Sequence, residues 1–139
     1  MNDSIRAREL LAAGGYTCVL VSGGREYHST ERGIRPLMQW LEGGTDCRGF
    51  SAADKVVGKA TAFLYVLLGV REVHAGTMSR SAAAVLERYG VPFTRDREVE
   101  AILNRTQDGF CPMESAVRDV EEPQQAYRVL LETCRKMQK

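Results

Sequence analysis

The sequence predicts a three-layer α/β/α domain built on a mixed sheet. Two strand-like runs, Tyr16–Val21 and Arg25–Ser29, flank Ser22-Gly23-Gly24 and read as a hairpin. Strand and helix patterns then alternate through the middle of the chain, which implies parallel strands joined by right-handed crossovers. At 139 residues the chain is one domain, long enough to bury roughly two-thirds of its unfolded surface.

Each element has a local cause. Asp3 or Ser4 caps a first helix with Ile5, Leu10 and Leu11 as its apolar positions, and Gly14-Gly15 stops it. Tyr16–Val21 is dense in β-branched and apolar residues and predicts a well-buried strand; Arg25–Ser29 is its more polar partner. Gly33 and Pro36 punctuate the entry to a short helix carrying Leu37, Met38, Trp40 and Leu41, and Gly43–Phe50 reads as loop. Ser51-Ala52-Ala53-Asp54 fits a capping box, with Asp in place of the usual Glu. From there Ala53, Val56, Val57, Ala60, Leu64, Leu67 and Leu68 recur at helical spacing. They predict one long, mostly buried helix over Ala52–Leu68 at the centre of the domain.

Glu72–Ala75 then predicts a strand, Ser79–Tyr89 a helix ended by Gly90, and Val91–Thr94 another strand. Glu98–Asn104 reads as helical and Thr106–Phe110 as loop; Pro112 opens a helix through Val120. Pro123 opens the last helix, with Ala126, Val129, Leu130, Cys134 and Met137 on one face. In such sheets ligands bind beyond the carboxyl ends of the strands. The starts of the Asp54 and Ser79 helices are expected on that rim.

Composition excludes several classes. Hydrophobic residues make up 44% of the chain and charged residues 27%, the balance of a globular protein rather than a disordered one. Nineteen basic and eighteen acidic residues leave a net charge of +1, spread evenly along the chain. No basic stripe invites nucleic acid or an anionic membrane surface. The longest apolar run, Ala62–Leu68, is seven residues, far short of the roughly 20 that span a bilayer. Met1-Asn2-Asp3-Ser4 does not open like a signal peptide, so the cytoplasm is the expected compartment. There the scattered Cys18, Cys47, Cys111 and Cys134 are expected to be free thiols.

Three stretches together carry a resemblance: Glu31-Arg32-Gly33-Ile34-Arg35-Pro36-Leu37, Ser51–Ala60, and Asn104-Arg105 followed by Gly109-Phe110-Cys111-Pro112-Met113-Glu114. In this order they resemble a prokaryotic family known only as a domain of unknown function, placed structurally with the cytidine-deaminase-like fold. The resemblance spans essentially the whole chain. It implies that fold, a possible homo-oligomer, and helices at Asp54 and Ser79 where deaminases carry their zinc motifs. Deaminase zinc needs a His or Cys and two further Cys, with a Glu as proton shuttle. The corresponding stretches, Ala53-Asp54-Lys55 and Gly76–Ala82, contain neither His nor Cys. The expectation is a shared scaffold without zinc and without a cofactor, since no phosphate-loop, dinucleotide or zincin motif occurs.

Three groups of residues are candidates for a site. Asp54, Lys55 and Lys59 begin the predicted long helix, where two cations in the first turns oppose the helix dipole unless an anion sits there. The plainer account is that Asp54 caps and both lysines reach solvent. Gly58 between them costs helix stability and so admits a close neighbour or a ligand. Ser79, Arg80 and Ser81 start the next helix; they suit a phosphate or sugar hydroxyl, and equally an ordinary N-cap. Asn104 and Arg105 contact a ligand or tie down the backbone, and Arg105 with Glu114 makes an internal ion pair in the plainer account. Cys111 is placed at the N-cap of the Pro112 helix, where a thiolate is stabilised. His74 reads as a packed strand histidine, and Tyr16, Trp40 and Tyr127 as core or interface aromatics.

Two functions of different class follow. The first is a binding protein that holds a small anionic ligand, nucleotide-like in one version, at the paired helix starts through Asp54, Lys55, Lys59, Ser79, Arg80, Ser81, Asn104 and Arg105. The second is a metal-independent enzyme with Asp54 as acid or base, Lys55 as electrophile and Cys111 as nucleophile.

Overall fold

A computed structural model describes residues 2–31, 33–103 and 111–137. In chain order these form α1 (Asp3–Gly14), β1 (Cys18–Ser22), β2 (Arg25–Ser29), α2 (Arg35–Glu42), β3 (Ser51–Val57) and α3 (Lys59–Leu68). There follow β4 (Glu72–Ser79), α4 (Arg80–Arg88), β5 (Phe93–Val99), α5 (Pro112–Ala116) and α6 (Pro123–Met137).

The five strands make one mixed sheet in the order β2-β1-β3-β4-β5. Strand β1 is antiparallel to both β2 and β3, whereas β3, β4 and β5 are parallel. The hairpin turns at Gly23, whose φ of 58° is the left-handed conformation that glycine adopts without strain. Strand alternation divides the core between two faces. Cys18, Leu20 and Ala52 face a cluster formed with α2, α3, α4 and α6, while Val19, Val21 and Ala53 face Ala7, Leu10 and Leu11 of α1. Helix α1 thus covers one face and the remaining helices the other, which is the three-layer arrangement the sequence predicts. No helix among the described residues is long and apolar enough to cross a membrane.

The predicted helix over Ala52–Leu68 is corrected by the structure. Its first half is the central strand β3, and only Lys59–Leu68 is helical. A strand buried on both faces carries small apolar residues at successive positions, so it loses the alternation that marks a half-buried one. Ala52 and Ala53 are both fully buried, one on each face. Gly58 then ends the strand and caps α3 in extended conformation. The rest of that reading stands: Ala60 to Tyr65 and Leu68 are all buried. Full burial of Phe63 and Leu64 contributes roughly 1.5–3 kcal/mol each.

Strand β5 also runs further than expected, to Val99, where a helix from Glu98 was predicted. Its Thr94-Arg95-Asp96-Arg97-Glu98 core is exposed, as befits a charged edge strand, and this hides the strand pattern. Strand β4 likewise continues past Ala75 to Ser79, and α5 ends at Ala116 rather than Val120. Asn2 caps α1, accepting from the Ser4 amide at 2.8 Å, in place of Asp3 or Ser4. The expected loop Thr106–Phe110, with Asn104 and Arg105, lies outside the described residues.

Candidate functional site

Asp54 and Lys55 are neighbours on β3, and a strand sends neighbouring side chains to opposite faces. The constellation Asp54, Lys55 and Lys59 is therefore broken up. Asp54 lies on the helix side, 7% exposed. Its Oδ2 accepts from the Tyr65 hydroxyl at 2.7 Å, and its Oδ1 from the Val56 amide at 3.2 Å. Tyr65 Oη lies 3.0 Å from Cys18 Sγ. With the tyrosine proton given to Asp54, that oxygen accepts the thiol proton. Burial pushes the Asp54 carboxyl up to about 6, against the opposing hydrogen bonds from Tyr65 and Val56. Burial, with the Asp54 charge second, pushes both Cys18 and Tyr65 well above their ordinary values. This is a polar knot tying β1, β3 and α3 together, and Asp54 offers no surface to a substrate.

The expected anion site at the central helix start is filled from within the chain. Glu114 of α5 accepts from the Lys59 amide through Oε1 at 2.8 Å and from the Ala60 amide through Oε2 at 2.9 Å. A carboxylate on the first amides of a helix is favoured by both the free N–H groups and the dipole. Burial raises the Glu114 pKa, and the two amides and the Lys59 charge oppose it. Lys59 Nζ donates to the Arg118 carbonyl at 2.8 Å. Gly58 admits a close neighbour, as its position in the sequence implies, and that neighbour is Glu114.

At the second helix start, Ser79 is the N-cap: its Oγ accepts from the Ala82 amide at 3.1 Å and lies 3.2 Å from Ser81 Oγ. Arg80 pairs with Glu100 at 2.9 Å and lies 4.0 Å from Glu98. The two helix starts are thus served by the chain's own groups. Cys111 is the N-cap of α5, as expected, with no side-chain capping bond; its amide donates to the Ile102 carbonyl at 3.2 Å. The enzyme reading required Asp54, Lys55 and Cys111 together. Asp54 is buried under α3, Lys55 is on the other face of the sheet, and Cys111 opens a helix packed with α3 and α6.

What Lys55 does line is a groove of about 690 Å³ between α1 and the sheet. Arg8 and Glu9 line it from α1, and His74, Gly76 and Asp96 from β4 and β5. The parallel pairs Asp54↔Ala75 and Val56↔Thr77 set Gly76 beside Lys55; Ala75↔Arg95 and Thr77↔Arg97 set Asp96 beside Gly76. A cation and a carboxylate therefore flank a glycine in one row, with backbones about 10 Å apart, two strand spacings. A Cβ on Gly76 would lie 2.9 Å from the Lys55 carbonyl oxygen, so this position is glycine for packing reasons and the floor stays open.

His74 lies two residues before Gly76 on the same face. It is 5% exposed, with Nδ1 2.7 Å from Thr94 Oγ1 and Nε2 3.6 Å from Asp96 Oδ1. Burial lowers its pKa, the Arg8 charge lowers it further, and Asp96 opposes both. Sequence reasoning set His74 aside and passed over Asp96. Matched parity on parallel strands (Lys55, His74 and Gly76, Asp96) is the signal that unites them, and it needs the strand assignment of residues 51–57 and 93–99. Among the described residues no three His, Cys, Asp or Glu side chains converge as a metal site.

Residues 6–134 match the model of a family described as TM1506, a domain of unknown function (DUF1893). No curated protein matches the chain. Among solved structures, the chain is similar to the crystal structure of a DUF1893 family protein, TM1506 from Thermotoga maritima. The TM-score is 0.87 at 24% identity, covering 95% of this chain and 90% of that one. The likeness concerns the fold alone.

Proposed function

The chain belongs to the DUF1893 family of unknown function, and on that premise we propose that it is a metal-independent binding protein for a small ligand bearing an anionic group. The ligand lies in the groove between α1 and β3–β5, not at the paired helix starts. The observation that carries this reading is the convergence of Lys55 and Arg8 on one concavity. Neither is ion-paired among the described residues. Supporting a cytidine-deaminase-like scaffold are the strand order and the positions of α3 and α4 directly after β3 and β4. A cytoplasmic setting fits the four free cysteines.

A thermal-shift series with inorganic phosphate, nucleotides, sugar phosphates and small carboxylates tests the reading. A ligand at a hundredfold excess over its Kd stabilises by roughly 2.7 kcal/mol. Lys55→Ala is expected to weaken that shift and Lys136→Ala to leave it unchanged. Equal effects from both, or no stabilisation by any anion, contradict it.

A further inference from the structure

We infer that the ligand of the α1 groove carries a cationic group as well as an anionic one, that is, a small amino acid or another zwitterion. This inference rests on the groove being the binding site. The lining charges come in opposed sets: Arg8 and Lys55 on one side of the balance, Glu9 and Asp96 on the other. Opposite charges close on one another in Arg48–Asp46, Arg80–Glu100 and Arg95–Glu98. Here they do not. Among the described residues Arg8, Glu9 and Lys55 enter no ion pair, and Asp96 meets only the His74 ring at 3.6 Å. Lys55 and Asp96 are kept apart by Gly76, across about 10 Å of sheet.

A simple anion meets Lys55 and Arg8 but leaves two carboxylates facing it. A ligand with a carboxylate at the Lys55 end and an ammonium at the Asp96 end satisfies both ends of the row. His74 lines the same groove. It is 5% exposed, its Nδ1 is engaged by Thr94, and its Nε2 lies 3.6 Å from Asp96 Oδ1. It adds a polar contact midway along the row.

Calorimetric titration of the intact protein with 4-aminobutyrate and 6-aminohexanoate, against butyrate, hexanoate and the corresponding alkylamines, decides the matter. At least one aminocarboxylate is expected to bind roughly tenfold tighter than its matching carboxylate, the factor expected of one charge-assisted contact. Asp96→Asn should erase that advantage and leave carboxylate binding intact, while Lys55→Ala weakens both. Both side chains are exposed, and unchanged melting temperatures establish that the variants fold. Equal affinity for carboxylate and aminocarboxylate, or an advantage that survives Asp96→Asn, overturns the zwitterion inference and leaves the anion site standing. Absence of binding by any of the carboxylates, phosphate and nucleotides overturns both.

Discussion

The carboxylate of Glu114 occupies the space that a side chain on Gly58 would need: a Cβ there would lie 2.6 Å from Glu114 Cδ. The two residues are 56 positions apart, and together they build the N-terminus of α3. Glycine leaves room, and the carboxylate supplies the acceptors that the Lys59 and Ala60 amides lack within their own helix.

Gly58→Ala and Glu114→Ala are therefore expected to be strongly non-additive. Each alone removes the same cap, at a cost of about 1–2 kcal/mol. In the Glu114→Ala background the alanine at position 58 meets no carboxylate, and its φ of −98° is ordinary for any residue. Chemical denaturation of the two single variants and the double variant measures the coupling. A double variant as destabilised as the sum of the singles would show that the two residues act separately.

The buried Asp54 carboxyl gives the fold a pH dependence of known sign. Its folded pKa, about 6, lies above its unfolded value, so the charged form is the one the fold disfavours. Its penalty, of order 3 kcal/mol at most, is complete above the folded pKa and is relieved as pH falls from about 6.5 to 4. His74 works in the opposite direction, because its lowered pKa makes stability fall as the ring is protonated. The Asp54 contribution is isolated as the stability difference between wild type and Asp54→Asn across pH 4.5–7.5. That difference should move in favour of the wild type toward low pH. A flat difference contradicts the assignment.

Loss of the Tyr65 hydroxyl should act on the same group. Tyr65→Phe removes a 2.7 Å hydrogen bond to Oδ2 and leaves a buried charge with one partner fewer, costing about 1–3 kcal/mol at neutral pH. The loss should shrink toward low pH as Asp54 takes up its proton. A loss independent of pH would mean that the hydroxyl serves packing alone.

Much of this architecture is legible in the sequence, and the illegible parts share one cause. The hairpin, the Ser79 cap, the Pro123 helix and the buried apolar half of α3 each carry a local signal, such as a glycine turn, a hydroxyl at a helix start or a run at helical spacing. Residues 51–57 do not. A strand packed on both faces is written in alanine and valine without alternation, and its neighbour Lys59–Leu68 extends a helical pattern backwards over it. Because Asp54 and Lys55 were assigned to a helix, their separation onto opposite faces could not be seen. The groove was hidden for the same reason: Lys55, Gly76 and Asp96 form a row only in the register of three parallel strands. Edge strand β5 concealed Asp96 further, since its charges mask its period.

Thiol reactivity ranks the cysteines by environment. Cys18 is 2% exposed and its thiol is pushed well above the ordinary value by burial; burial likewise pushes Cys47 to about 11. Cys111 is half-buried at the start of α5. It is expected to alkylate first at pH 7, well ahead of Cys18. Rates that are unchanged in Cys111→Ser for the fastest thiol would assign that reactivity elsewhere.

The placement of the ligand site on the α1 face is the central claim, and amide chemical shifts report it directly. The ¹⁵N-labelled protein is titrated with whichever of phosphate, a nucleotide or a small carboxylate stabilises it most. Saturable shifts are expected at Arg8, Lys55, His74, Gly76 and Asp96, with the first-turn amides of α3 and α4 unmoved behind Glu114 and Ser79. Saturable shifts confined to Lys59, Ala60 and Ser79–Ala82 would return the site to the paired helix starts and contradict the account.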